Sequence, residues 1–125
     1  MALDPGLDGT AELVVGEHDT AIALGSGDVP VLGTPRVIAL CEAATLDALR
    51  GRIAAGSTTV GLSVQIDHVR PTPVGERVTA EAHLDRVEGR RLIFSVTAKD
   101  ERGLVAAGKV TRVMIEVERF MEKTR

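Results

Sequence analysis

The 125-residue sequence predicts an α+β protein in which an antiparallel sheet wraps around one long, largely apolar helix. Two observations carry this expectation. Residues 34 to 49, TPRVIALCEAATLDAL, place apolar side chains nearly all the way round a helix, so that helix needs cover on most sides. From Ser57 the period changes to two, in four alternating stretches separated by short turn signals. With 44% hydrophobic and 26% charged residues, the composition suits one globular domain over residues 1–125 with a single core.

Taken in order, residues 1–10 are rich in Gly, Pro and Asp and read as a frayed start. Residues 11–24 read as a strand or loosely paired strand region, and GSGDVPVLG (25–33) as a loop, because its Gly and Pro stop any regular element. Thr34 suits the N-cap of the helix and Pro35 its first turn, while GRIAAGS ends it. In TTVGLSVQIDHV, alternation puts Val60, Leu62, Val64 and Ile66 on one face, with Gly61, Ser63, Gln65 and Asp67 on the other. PTPVGE (71–76) is a turn. Val78, Ala80, Ala82 and Leu84 then share one face, Glu88-Gly89 marks a hairpin, and Leu92, Phe94, Val96 and Ala98 alternate in the next stretch. DERG closes a second hairpin. LVAAGKVTRVMIEV is the last strand, and Gly108 within it marks a bulge or a close backbone approach. The chain has no internal repeat, low-complexity segment or linker.

Composition excludes several functions. Aromatic residues make up 2%, Phe94 and Phe120 alone, so no stacking platform for single-stranded nucleic acid is expected. A net charge of -3 disfavours a phosphate-backbone binder. Cys41 is the single cysteine, which rules out an intrachain disulfide and a cysteine-based zinc site. Phosphate-loop, HExxH and GxSxG motifs are absent, and no metal site is expected. MALDPGLDGT does not resemble a signal peptide, and no stretch approaches the roughly 20 apolar residues that span a bilayer. A soluble cytoplasmic domain with neither membrane nor nucleic-acid partners is the expectation.

Glu42 is the anomaly of the helix. Arg36, Asp47 and Arg50 share a stripe with Ala43 that reads as the solvent face, and Glu42 lies roughly 110° from its centre, among Ile38, Ala39, Thr45, Leu46 and Leu49. Two readings stay open. Glu42 is a boundary residue whose head reaches water or an arginine, or a desolvated carboxylate serving as proton-transfer group or nucleophile. His68 continues the Val60-to-Ile66 series, so strict alternation points it at the helix. Thr34, at the helix start, would cap the backbone or face a ligand, and the backbone N–H groups there favour an anion or a polarised carbonyl oxygen. Such a set is compatible with acyl transfer or hydrolysis. Cys41 reads as a small core residue, and His18 and His83 as surface residues.

Thr34, Glu42 and His68, with Gly61 ahead of the histidine and Arg112 in the last strand, resemble the fluoroacetyl-CoA thioesterase-like branch of the hotdog-fold acyl-CoA thioesterases. The likeness extends through DHVRPTPVGERVTAEAHL and GRRLIFSVTAKDERGLVAAG, nearly the whole chain. It implies a hotdog fold, a homodimer with active sites close to the dimer interface, and hydrolysis of a short-chain acyl-CoA thioester. No cofactor is implied, since CoA is part of the substrate. Thr34, Glu42 and His68 match the family's catalytic residues, and Gly61 and Arg112 its substrate-binding positions. Arg70, Arg86, Arg90 and Arg91 are candidates for the CoA phosphates. Two departures stand out: the loop GSGDVPVLG lacks the aromatic gate of the fluoroacetyl-specific enzyme, and Val110 stands where related sequences often carry histidine. Two alternatives accompany this reading, a non-catalytic acyl-CoA-binding hotdog protein and an enoyl-CoA hydratase on the same fold.

Overall fold

The alternation after residue 57 is realised as four strands, β2 (Ser57–His68), β3 (Arg77–Glu88), β4 (Arg91–Asp100) and β5 (Gly103–Glu116). Before them come β1 (Asp8–Val14), a single 3-10 turn (Glu17–Asp19) and the long helix α1 (Thr34–Ala48); a short helix α2 (Val117–Glu122) follows. The structure, a computed structural model, describes residues 3–125. All strand pairings are antiparallel, in the order β1-β3-β4-β5-β2. Every strand touches α1, so the sheet curls around the helix as the sequence predicts. Val78, Ala80, Ala82 and Leu84 of β3 and Leu92, Phe94, Val96 and Ala98 of β4 are all buried beneath it. Period-two patterning therefore translates directly into the core. The two hairpins fall where Gly89 and Gly103 adopt positive φ (62° and 124°), a conformation that glycine reaches at little cost.

The frayed start and the strand over 11–24 need correction. Residues 1–2 lie outside the described residues, and from Asp8 the chain is a strand that ends at Val14. Gly9 is the reason it packs there: a Cβ at this position would lie 2.3 Å from both Ala44 O and Ala48 N, so only glycine lets β1 rest on α1. The Thr10 N–H donates to the Asp47 carboxylate at 2.9 Å. Asp47 and Arg36, which salt-bridges Asp19 at 3.1 Å, are therefore half-buried and engaged rather than on a free solvent face. Nor is α1 fully covered. Ala39, Ala43 and Leu46 form an exposed stripe, with Leu46 at 47% exposure, beside half-buried Ile38 and Glu42.

β2 is an edge strand, and its alternation is broken by a bulge between Gly61 and Ser63. The extra residue, Leu62, is turned outward and is 50% exposed. The bulge reverses the faces on its N-terminal side: Thr59 and Gly61 point at the helix, as do Val64, Ile66 and His68 beyond it. The expected placement of Leu62 inward and Gly61 outward is thus overturned. Gly108 of β5 marks the close approach anticipated for it, since a Cβ there would sit 1.9 Å from Gln65 O of β2. The C-terminal helix α2 was not foreseen. Among the described residues, no helix is long and apolar enough to cross a membrane.

Candidate active site

The first cluster joins the start of α1 to the end of β2. Gly33, in extended conformation, is the N-cap residue, which places Thr34 one position inside the helix and corrects its expected capping role. Its hydroxyl is left free and shares a hydrogen bond with His68 Nδ1 at 2.8 Å. The other imidazole nitrogen, Nε2, is buried without a partner. Burial pushes the His68 pKa below its ordinary value, with the Arg70 backbone pulling the other way. Desolvation thus favours the neutral, proton-accepting form of the imidazole.

A buried clamp fixes this pair. The Asp100 carboxylate, with no exposed side-chain surface, binds the Arg70 guanidinium and accepts from Thr72 Oγ1 at 2.9 Å and from Arg102 N at 2.8 Å. Thr72 O in turn accepts from Leu32 N at 2.9 Å. The turn just after His68 is thereby tied to the segment just before Thr34. This engages Arg70, one of the arginines considered for CoA phosphates; Arg86 pairs with Glu88 at 3.5 Å, and Arg90 and Arg91 have no ion pair among the described residues. Beside the Thr34–His68 pair opens a cavity of about 290 Å³, walled by Ala21, Val29, Val31 and Val69 together with the polar Ser26 and Arg70, and with no Phe, Tyr or Trp. A larger cavity of about 570 Å³ lies by Glu76, Glu81 and Lys99 and includes none of the expected site residues.

The second cluster gathers Glu42, Gly61 and Arg112. Arg112 Nη1 donates to Glu42 Oε2 at 3.3 Å, while its Nε and Nη2 donate to Thr59 Oγ1 at 2.8 Å and Thr59 O at 2.9 Å. Arg112 is only 6% exposed, so its guanidinium serves Glu42 rather than open solvent. Desolvation lowers its pKa, with the Glu42 charge opposing. Gly61 lies directly against the carboxylate: a Cβ on it would be 2.5 Å from Glu42 Oε2. Thr59, which holds the arginine, was missed in the sequence because alternation without the bulge turns it away from the helix. The one available signal was Arg112 itself, an inward-facing arginine that requires buried acceptors.

The structure does not bring the two clusters together within one chain. Thr34 and Glu42 are eight residues apart on one helix, about 12 Å along its axis at 1.5 Å per residue. Cys41 is buried, and burial followed by the Glu42 charge raises its pKa to about 11, consistent with an inert core thiol. His83 is exposed and pairs with Asp8 at 2.6 Å. Among the described residues no group of three or more His, Cys, Asp or Glu could hold a metal ion.

A curled five-stranded antiparallel sheet closed over one helix is the architecture of a hotdog-fold protein. A hot-dog-like protein from Thermanaerovibrio acidaminovorans, 22% identical, superposes on 98% of this chain and 90% of its own with a TM-score of 0.88, which speaks for the fold. Residues 15–118 match the family described as FlK: Fluoroacetyl-CoA-specific thioesterase, and the chain belongs to that family. It is a thioester hydrolase. The fluoroacetyl-CoA thioesterase of Streptantibioticus cattleyicolor is 34% identical over 76% of this chain and 68% of its own length. A solved structure of the fluoroacetyl-CoA thioesterase FlK is 30% identical, covers 100% of this chain and 97% of its own, and superposes with a TM-score of 0.93.

Proposed function

We propose that this protein hydrolyses a short-chain acyl-CoA thioester to the free acid and CoA, at a site built from Thr34 and His68 of one subunit and Glu42 of its partner in a homodimer. The observation that carries the reading is the Thr34–His68 hydrogen bond with a desolvated, unpartnered Nε2 beside a cavity free of Phe, Tyr and Trp. In the tautomer where Nδ1–H donates to Thr34 Oγ1, Nε2 is free to take a proton from water as it attacks the thioester carbonyl. The carbonyl oxygen is polarised by backbone N–H groups at the start of α1 or at Gly61. Glu42, with Oε2 tied to Arg112, has its other oxygen free as general base or nucleophile. The carbon–sulfur bond breaks, thiolate leaves and is protonated to CoA, and water supplies the hydroxyl of the acid, so no cofactor is required.

What a single chain leaves uncovered supports the dimer. β2 is a twelve-residue edge strand, and long unpaired edges are avoided in native proteins. The apolar stripe Ala39, Ala43 and Leu46 lies on the helix beside it. Antiparallel pairing of β2 with a second copy about a two-fold axis lays the Gly61 half of one strand beside the His68 half of the other, and closes the gap of about 12 Å that separates Glu42 from Thr34 in one chain. A loop without aromatic side chains over 25–33 supports acyl groups in general rather than fluoroacetyl alone. An acyl-CoA substrate also fits the cytoplasmic location suggested by the sequence.

The test is free-thiol release from a panel of short acyl-CoAs by wild type, Glu42→Ala and His68→Ala, alone and after co-refolding the two variants. Each variant alone is expected to lose turnover with its fold intact. Mixed dimers carry one site with both wild-type residues, so random reassortment restores about one quarter of wild-type turnover. Full hydrolysis by both variants would sink the catalytic assignment, and no recovery on mixing would sink the shared site. Acyl-CoA binding without thiol release would favour a binding module. Hydration of an enoyl-CoA without thiol release would favour the hydratase.

A further inference from the structure

Thr59 lies on β2 two residues before Gly61 and is 4% exposed; Arg112 of β5 is the register partner of Gly61. The guanidinium is a rigid planar fork with five N–H donors, so fixing two of its nitrogens fixes the direction of the third. Here Nε and Nη2 are both held by one residue, through Thr59 Oγ1 at 2.8 Å and Thr59 O at 2.9 Å, and the remaining arm, Nη1, aims at Glu42 Oε2. We propose that Thr59 is a positioning residue for thioester hydrolysis: through Arg112 it sets where Glu42 presents its free carboxylate oxygen. The inference rests on the reading of Glu42 as a catalytic group.

The contact lengths show which bonds define the geometry. The two bonds to Thr59 are short, whereas the ion pair to Glu42 is longer at 3.3 Å and the Glu42 side chain is one-third exposed. Thr59 is thus the firm end of the relay and Glu42 the adjustable end. Gly61 completes the arrangement, because the absence of a Cβ leaves the carboxylate the space between the strand and Arg112. Remove the Thr59 hydroxyl and Nε of a buried cation loses its acceptor. The guanidinium is then free to swing about its remaining bond, and Glu42 moves with it. Burial of the arginine strengthens the argument, since water does not reach it readily to replace the missing acceptor.

The experiment compares Thr59→Val, which keeps the shape and removes the hydroxyl, with Thr59→Ser, which keeps the hydroxyl, each alone and in a Glu42→Gln background. kcat and KM are measured on the best acyl-CoA, with circular dichroism and thermal unfolding on every variant. Thr59→Val is expected to lower kcat about tenfold to a hundredfold while KM stays within about twofold, and Thr59→Ser to retain most of the wild-type rate. In the Glu42→Gln background Thr59→Val is expected to cost less than about twofold more, because the two residues act in one chain. An equal loss in both backgrounds would mean a general structural effect and overturn the proposal, as would unchanged kcat in Thr59→Val or failure of Thr59→Ser to rescue. Should Thr59→Val fail to fold, Thr59→Ala carries the same test, since it too removes the Oγ1 acceptor while leaving Arg112 and its contact with Glu42 in place. Wild-type kcat in Glu42→Gln itself would remove the reading of Glu42, an outcome distinct from the failure of Thr59 alone.

Discussion

Gly61→Ala is expected to separate activity from stability. The added Cβ would lie 2.5 Å from Glu42 Oε2 and 3.9 Å from Arg112 Nη1, with no backbone atom among its near neighbours. Ordinary contact begins at 3.4 Å, so the carboxylate must retreat by roughly 0.9 Å, and misplacement on the 1 Å scale costs on the order of a hundredfold in rate. The stability terms, by contrast, nearly cancel. Gly61 does not have positive φ, so alanine fits the backbone, and it removes unfolded-state freedom worth about 0.4–1 kcal/mol. Loosening the long ion pair to Glu42 offsets that gain, and Arg112, though buried, keeps both of its Thr59 acceptors. The melting temperature is expected to stay within about 4 °C of wild type. Thermal unfolding by circular dichroism and thiol release on one preparation measure both quantities. Full turnover in Gly61→Ala would refute the reasoning that the position of this carboxylate matters. A collapse of the melting temperature would refute the claim that a side-chain end, rather than the fold, absorbs the clash.

Gly108→Ala is the counterpart, since its Cβ would meet Gln65 O at 1.9 Å and Ile66 Cα at 2.9 Å, both backbone. β2 has to move away, and we expect a loss of about 2–3 kcal/mol in denaturant unfolding. For His68, burial lowers the pKa, so the neutral base persists below the ordinary value near 6.5. The acid limb of kcat/KM is then expected below that pH, and a limb at or above 6.5 would contradict the desolvated site. The same shift makes the unfolded chain bind its proton first, so this group's contribution to stability is present above the unfolded pKa and is lost as pH falls from there through the folded pKa.

The fold was legible wherever local pattern and tertiary environment agree. β3 and β4 bury every residue that alternation assigned inward, because both strands lie inside the sheet and one of their faces meets the core. β1 was obscured because its decisive residue, Gly9, carries no hydrophobic signal at all: its contribution is an absent side chain, visible only against the backbone of Ala44 and Ala48. α2 escaped notice for a different reason. It continues directly from β5 with no turn signal between them, and it buries none of its residues, so no apolar face marks it.

The candidate site could be proposed from the sequence as a set of residues but not as an arrangement, and the bulge in β2 explains the difference. Gly61 and His68 are seven positions apart, an odd number, so an uninterrupted strand would put them on opposite faces. Counting alone therefore forces a choice in which only one of them faces the helix. The Gly61/Ser63 bulge removes that choice by spending Leu62 outside the ladder, after which Gly61 and His68 share a face. The same insertion turns Thr59 inward to Arg112. An exposed leucine in an otherwise well-patterned strand is thus the visible trace of the feature that orients both clusters. Deleting it would leave Gly61 and His68 six positions apart in an unbulged ladder, an even number that keeps them and Thr59 on the helix face. Arg112 is then expected to keep its Thr59 acceptors while the extra local twist of the bulge is lost.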